Sequence, residues 1–500
     1  MKKFICLILG LVIIASSLLL SCNSKNPDAP LTTTESPEAP QSPQEGEDDI
    51  PAETAPEVRP DIPAGDFGGR KIIIAVPTET LWGYDTVCPE TETGEPVFDA
   101  SYLRNKIIED RYNVNLEQLD IVYSQFEKTA KNSVLAEDKM FDFAFPRMTQ
   151  ALSLAADGFL YDLRELPYID SSNVWWDHTI VRDCSLAGKA FFLAGDINMY
   201  AYDGTIVLFF NKVMQSNYQI ENLYQLVLDG KWTIDKFDEI MRVAIADLDG
   251  DGMMTFDDSF GLYTPHDVVT LSLLTGAYSN IFEKISETEI IFNMGSEKFS
   301  NVIDKINLFM NYGEGVFNPA NSKWKVHSDE WGYASKLFTE DRAFFMCEVV
   351  DCARRYRFME SDFGILPFPK YDESQKEYYS LVSADVLAVG VPASMPESDA
   401  EMIGSLIEDM AYEGRLRILP AYYDITLLRK NTRDEESAAM LDIIFKQRKY
   451  AVDLTYNFGD MRGKVYTMVN QNKNEVASLY EKNADKVQIA IDKLLEKYST

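Results

Sequence analysis

The densest chemistry in this sequence is a run of acids, Asp247-Leu248-Asp249-Gly250-Asp251-Gly252-Met253-Met254-Thr255-Phe256-Asp257-Asp258. In a twelve-residue calcium loop, carboxylates at positions 1, 3 and 5 converge on the cation. A glycine at position 6 permits the sharp turn, position 7 lends a backbone carbonyl and position 12 closes the cage. Asp247, Asp249, Asp251, Met253 and Asp258 occupy the ligand places and Gly252 the turn. The spacing predicts Ca²⁺ held by hard oxygen donors, in a structural role, since a filled cage leaves no open position for catalysis. Asp258 departs from the pattern, being one methylene shorter than the glutamate that binds bidentately, so the loop must be tighter and the affinity weaker. The plainer reading is a solvated acidic turn, whose carboxylates repel one another without a cation.

A second set of candidates is picked out by position. In open parallel sheets ligands bind beyond the carboxyl ends of the strands. That rule selects Trp82 and Tyr84 after the first predicted strand, Arg147 after the third, and Tyr202 with Asp203 where the chain crosses to a second sheet. It also selects Glu348 and Asp351 after a late strand and Asp385 in a return crossing. Trp175 and Trp176 are adjacent, so on a strand only one can face a ligand while the other packs, and Trp176 is taken as the ligand-facing one. Trp324, Trp331, Tyr422 and Tyr423 form a second tier. Aromatic faces with charged or amide side chains complement sugars, which present apolar ring faces rimmed by hydroxyls. Each residue also has a plainer role: Trp82 covering a sheet edge, Arg147 pairing a structural carboxylate, Asp203 or Asp385 capping a turn.

Catalytic signatures are missing. His178, His266 and His327 are dispersed, no GxSxG or HExxH occurs, and no Gly-rich phosphate loop follows a predicted strand. A glycosidase carboxylate pair could hide among 80 acids, but sequence does not show a separation. The expectation is no enzyme activity and no catalytic cofactor.

The elements that must position these residues can be read from periodicity. Ile72-Ile73-Ile74-Ala75-Val76 is a nearly continuous apolar run, as in a buried parallel strand. Residues 99–113 carry Leu103, Ile107 and Ile108 at helical spacing, 114–122 alternate, 123–137 are polar and helical, and 141–145 form a strand stopped by Pro146 ahead of another helix. Strand, helix and strand repeat as βαβ units, which predicts α/β architecture with a parallel sheet. A second cycle begins at 205–210, with helices over 221–228 and 233–246, strands at 342–346 and 363–366, an apolar stretch at 381–391 and a helix over 398–412. So many elements exceed one sheet and predict two lobes crossed more than once.

The N-terminus reads Met1-Lys2-Lys3, an apolar stretch from Phe4 to Leu20, then Ser21-Cys22. Charged and apolar regions in that order are an export signal, residues 1–21. Leu19-Leu20-Ser21-Cys22 resembles a bacterial lipobox, in which the cysteine is diacylated and becomes the first residue. Residues 22–66 are then a lipidated Cys22 and a disordered tether rich in Pro, Glu and Thr, reaching on the order of 100 Å from the membrane. Beyond Cys6 and Cys22, Cys88, Cys184, Cys347 and Cys352 are left, with spacings that match no zinc motif, and pairing stays open. The net charge of −33 repels phosphate backbones and anionic headgroups, which argues against nucleic acid and against any membrane contact beyond the anchor. With 46% hydrophobic residues the chain can still bury a large core, so general disorder is excluded.

Several segments resemble one family, the extracellular solute-binding lipoproteins of bacterial ABC importers, in the carbohydrate-binding branch related to maltose-binding protein. The likeness is carried by 141–163, by Val207-Leu208-Phe209-Phe210-Asn211-Lys212 followed by Trp232-Thr233-Ile234-Asp235-Lys236-Phe237, by 338–345 and by Asp362-Phe363-Gly364-Ile365-Leu366-Pro367-Phe368-Pro369. The resemblance implies a two-lobed periplasmic-binding-protein-like fold with a hinge. Lobe one would be 68–203 plus 382–432 and lobe two 204–381 plus 433–500. It also implies a monomer on the outer face of the cytoplasmic membrane that captures a carbohydrate, an oligosaccharide, between the lobes and delivers it to a permease. A surface carbohydrate-binding or adhesive lipoprotein without a transport role would share every site residue.

Overall fold

The computed structural model describes residues 59–78, 87–264, 268–310, 315–317, 336–423 and 435–499. The signal sequence, Cys22 and the tether up to residue 58 lie outside them. Residues 59–66, expected as the end of that disordered tether, instead run against the folded body: Arg59 pairs with Asp409 at 3.0 Å and Ile62 is buried. The reason is local. Asp409 is fully buried, and Arg59 and Arg111 are the cations that meet its charge.

β1 (Arg70–Thr78) is the middle strand of a three-stranded parallel sheet flanked by β2 (Val114–Val122) and β3 (Phe143–Ala144). Its central residues are buried on both faces, which is why they read as a continuous apolar run. β2 lies at an edge and keeps a partial alternation. The helix Pro96–Tyr112 joins them, with Pro96 in its first turn and Asn113 in the left-handed region (φ 48°) closing it. The helices Tyr123–Ala136 and Met148–Ala156 follow β2 and β3.

The second sheet contains β4 (Ile206–Asn211), β5 (Phe260–Tyr263), β8 (Val316–Phe317), β9 (Ala343–Val349) and β10 (Phe363–Leu366), in the order β10-β4-β9-β5-β8. It is mixed, a correction to the parallel expectation: β4 runs antiparallel to both β9 and β10. All six β4 side chains are buried. A strand buried on both faces carries no pattern that reports direction, which is set by the end of the sheet at which the chain arrives. A hairpin of β6 (Phe282–Ser286) and β7 (Glu289–Phe292) and the long closing helix Val476–Ser499 have no counterpart among the expected elements.

Three chain segments lie side by side between the sheets. Thr205 bridges Val382 in antiparallel fashion, and Ser383 N–H donates to the Gly204 carbonyl at 2.8 Å. β11 (Ser380–Leu381) pairs in parallel with β12 (Arg448–Lys449). Buried ion pairs pin these crossings: Arg448 to Asp177 at 3.0 Å, and Lys449 to Asp183 at 3.3 Å and Glu283 at 3.4 Å. The segment 386–391 then returns to the first sheet, where Gly390 bridges Ala144 and Leu387 bridges Arg147. The lobe boundary expected at 432 falls outside the described residues. Cys88, Cys184, Cys347 and Cys352 are free thiols.

Candidate functional site

The crossings gather candidate residues from distant parts of the chain. Arg147 follows β3 directly, caps the helix 148–156 and is buried. Its Nη1 donates to Asp385 at 2.8 Å, and its guanidinium lies 4.0 Å from the centre of the Tyr123 ring. Arg147 Nε is buried with no hydrogen-bond partner, so one donor of the fork is uncommitted. Asp385 is about one-third exposed at its side chain. Sequence position alone had selected both members of this pair, and the fold brings them together across 238 residues.

On the other side of Gly204, Asp203 is buried and accepts the Tyr422 hydroxyl at 2.7 Å. Burial pushes its pKa up to about 6, against the opposing charge of Arg354 and the Tyr422 hydrogen bond. Asp351 pairs with the same Arg354. Glu348, expected after the strand, instead lies within β9 opposite Val207, because β9 runs on past Met346 to Val349. It is buried and accepts from the Cys352 thiol at 3.5 Å, and burial lifts its pKa to about 7. Val350 N–H donates to the Thr205 carbonyl at 2.9 Å, which holds this cluster against the crossing.

Beside Asp203 a small cavity of about 30 Å³ is lined by Arg104, Asn198, Met199, Tyr200 and Ile418 among others. Arg104 is fully buried, with donors directed at Asn105 and at the carbonyls of Ile197 and Val87, and burial lowers its pKa to about 10. Asn198 Nδ2 has no hydrogen-bond partner. Such a space admits a water or two, or one polar substituent of a larger ligand.

Other candidates are placed elsewhere. Trp176 is 3% exposed, and both Trp175 and Trp176 donate their indole N–H to Glu408, at 3.0 and 2.8 Å. The alternation expected of a strand fails because Trp175 ends a turn and Trp176 makes only a single antiparallel bridge, to Gly195, so both indoles reach one acceptor. Tyr202 donates to Asp196 at 3.2 Å and is held by Tyr422, Phe445 and the Arg448 guanidinium, 4.1 Å from its ring centre. It packs in the crossing. Trp82, Tyr84, Trp324 and Trp331 lie outside the described residues, while Tyr423 donates to Asp442. Arg104, Tyr123 and Arg354 were missed: Tyr123 does follow β2 directly and the strand-end rule could have selected it, whereas Arg104 sits mid-helix and Arg354 in the helix Ala353–Tyr356, where the rule does not look.

In the acidic loop, carboxylate oxygens of Asp247, Asp249 and Asp258 lie within 4.8 Å of one another. Asp247 accepts the backbone N–H groups of Gly250 and Gly252 at 2.7 and 2.8 Å, and Asp251 accepts that of Met253 at 2.7 Å. The Asp251 N–H favours the Asp249 carboxylate, yet desolvation and the charges of Asp251, Asp258 and Asp247 hold its pKa above the usual value. Asp258 is buried, a cost outweighed by N–H donors from Thr255 and Leu248 that keep its pKa below the ordinary range. An all-oxygen set of this kind fits a hard cation such as Ca²⁺.

Among solved structures the chain is similar to a cyclic alpha-maltosyl-1,6-maltose binding protein from Arthrobacter globiformis, at 10% identity and a TM-score of 0.52, over 86% of this chain and 100% of that one. It is also similar to a cyclo/maltodextrin-binding protein complexed with maltotetraose, at 12% identity and a TM-score of 0.54, over 86% and 98%. The fold is that of the periplasmic binding proteins. UgpB from Mycobacterium tuberculosis, in complex with glycerophosphocholine, shares it at 12% identity and a TM-score of 0.55, over 85% and 98%. No protein-family model and no curated protein matches the sequence. The periplasmic-binding-protein fold accounts for the paired sheets and the bundled crossings. These neighbours are binding proteins, and among the described residues no helix is long and apolar enough to cross a membrane.

Proposed function

We propose that this chain is a lipid-anchored extracellular receptor that captures an oligosaccharide between its two lobes, 68–203 plus 382–432 and 204–381 plus 433–500, and hands it unchanged to an ABC importer's permease. The observation that carries the reading is the convergence of Arg147, Asp385, Asp203, Glu348 and Asp351 on the crossings, beside strand ends, in a fold whose neighbours include maltodextrin binders. Charged groups of both signs and uncommitted donors suit a ligand rich in hydroxyls. Trp82 and Tyr84, in the segment following β1, would supply the ring platform. UgpB, bound to glycerophosphocholine, marks the reading that competes most directly.

A thermal-shift screen decides between them. A bound ligand at 100 times its dissociation constant stabilises the folded chain by roughly 2.7 kcal/mol. Maltodextrins or other soluble oligosaccharides are expected to raise the melting temperature and to be recovered unaltered. Stabilisation by glycerophosphodiesters alone would overturn the carbohydrate assignment, and a chemically altered sugar would overturn the receptor assignment.

The same proposal places Ca²⁺ in the 247–258 loop, on Asp247, Asp249, Asp251, Asp258 and the Met253 carbonyl. The ion would neutralise acids that otherwise repel one another and would brace the chain entering β5. Chelation with EGTA is expected to lower the melting temperature, and Ca²⁺ to restore it. An unchanged melt would remove the ion from the account.

A further inference from the structure

A second groove adjoins the β11–β12 crossing, with Tyr379 immediately before β11, but shares no residue with the candidate site. It encloses about 640 Å³ between the start of the helix Glu297–Met310, the segment 371–379 and Tyr278, which follows the helix Val268–Gly276. That volume is in the range of small-molecule sites. Tyr278 and Tyr379 stack with ring centres 4.7 Å apart and planes at 29°, and Tyr371 lines the same space.

The backbone at Tyr278 is the unusual feature. Its φ is 50°, in the left-handed region where a helix C-terminus ordinarily uses glycine or asparagine. Its N–H donates to the Thr275 carbonyl and the next N–H to Leu274, both at 2.8 Å, so the helix ending itself is regular. A bulky side chain there carries a conformational cost that glycine would avoid. The cost is not repaid by burial, since Tyr278 is 46% exposed. An aromatic ring held open to solvent at a strained position, stacked on a second ring and facing a groove, is the arrangement of a ligand platform.

We propose that this groove is a second binding site for a saccharide, with a pyranose ring lying against the Tyr278–Tyr379 platform. The rim mixes both signs and argues for a ligand without net charge: Glu297, Asp372 and Glu377 are interspersed with Lys298 and Lys376, while Asn301 and Gln375 add amides. A cationic guest is disfavoured because Lys298 Nζ already lies 5.4 Å from the Tyr371 ring centre and Lys449 Nζ 5.6 Å from that of Tyr278. The site would hold one part of a glycan while the crossing site engages another, or keep the chain close to a polymer that releases its solute.

The test uses the full chain and a panel of soluble and immobilised gluco-, manno-, xylo-, galacto- and chito-oligosaccharides. Asp203→Asn with Asp385→Asn weakens the crossing site, and that variant is expected to retain binding of at least one glycan. Adding Tyr278→Gly or Tyr379→Ala is expected to weaken the retained binding at least tenfold. Tyr278→Gly relieves the backbone, so its melting temperature should stay at or above that of the parent, which separates lost binding from lost folding. No retained binding, or retained binding indifferent to both tyrosines, overturns the second site. The two proposals fail differently: if Tyr278→Gly alone abolishes all sugar binding by the otherwise unaltered chain, the groove stands and the crossing-site assignment falls.

Discussion

Glu408→Ala is expected to cause a large loss of stability, roughly 2–6 kcal/mol, from about 1–3 kcal/mol for each of the two buried indole donors left without an acceptor. Glu408 lies on the helix Ala400–Pro420 and is fully buried. It accepts the indole N–H groups of Trp175 and Trp176 at 3.0 and 2.8 Å and the Asn173 amide at 2.7 Å. It also accepts the Asp170 backbone N–H at 3.4 Å, so its removal strands four donors that come from a segment more than 230 residues away in sequence. Glu408→Gln should lose less, because one oxygen is kept while an NH₂ is turned toward an indole N–H. Urea unfolding at pH 7.5 checks this, with the midpoint falling at an unchanged slope. A Glu408→Ala midpoint equal to that of the parent would show that the two indoles are not fastened here.

The second large effect is with pH. Burial raises the pKa of Asp196 and Asp203 to about 6, and that of Glu348, Glu408 and Asp453 to about 7. Unfolded, such groups titrate near 3.9 for Asp and 4.3 for Glu, so each binds its proton more tightly in the folded chain. Their contribution to stability is complete below about pH 4 and is lost as the pH rises through 6 to 7. The melting temperature is therefore expected to fall by about 5–10 °C between pH 5 and pH 8. Below pH 4 the trend reverses. Asp399 and Asp157 are held below the usual range by hydrogen bonds from Arg70 and Lys131, and their contribution is lost when they protonate. Repulsion within a chain of net charge −33 acts in the same direction as the buried acids above pH 5. Salt screens that repulsion much more than it affects buried groups. A slope between pH 5 and 8 that survives 0.5 M NaCl and flattens in Glu408→Gln assigns it to the buried acids. A slope abolished by salt assigns it to the surface.

Much of the architecture was legible because local patterns are sufficient where a strand is buried on both faces or a helix ends on a distinctive residue. The run around Ile72–Val76 became β1, 114–122 became β2, and 363–366 became β10 at the predicted limits. The rule that ligands gather beyond strand ends found Arg147 and Asp385 without knowledge that they touch. It could not find Arg104, whose place beside Asp203 depends on the packing of the helix Pro96–Tyr112 against the segment 197–203. Nor could it separate Trp176 from a ligand-facing role, because a tryptophan that satisfies a buried acid looks the same in sequence as one that waits for a sugar.

By itself the sequence determined the repeating strand-helix order, the limits of β2 and β10 and the acidic run, since each rests on residues a few places apart. Only the tertiary structure decided the direction of β4, the docking of residues 59–66 and the meeting of Asp203 with Tyr422, Arg147 with Asp385, and Glu408 with its two tryptophans. Those contacts join residues more than 200 positions apart, apart from β4, whose paired neighbours lie about 135 to 158 positions away. The physical reason is that a buried charge must find its partner wherever folding delivers one, and spacing along the chain carries no record of that place.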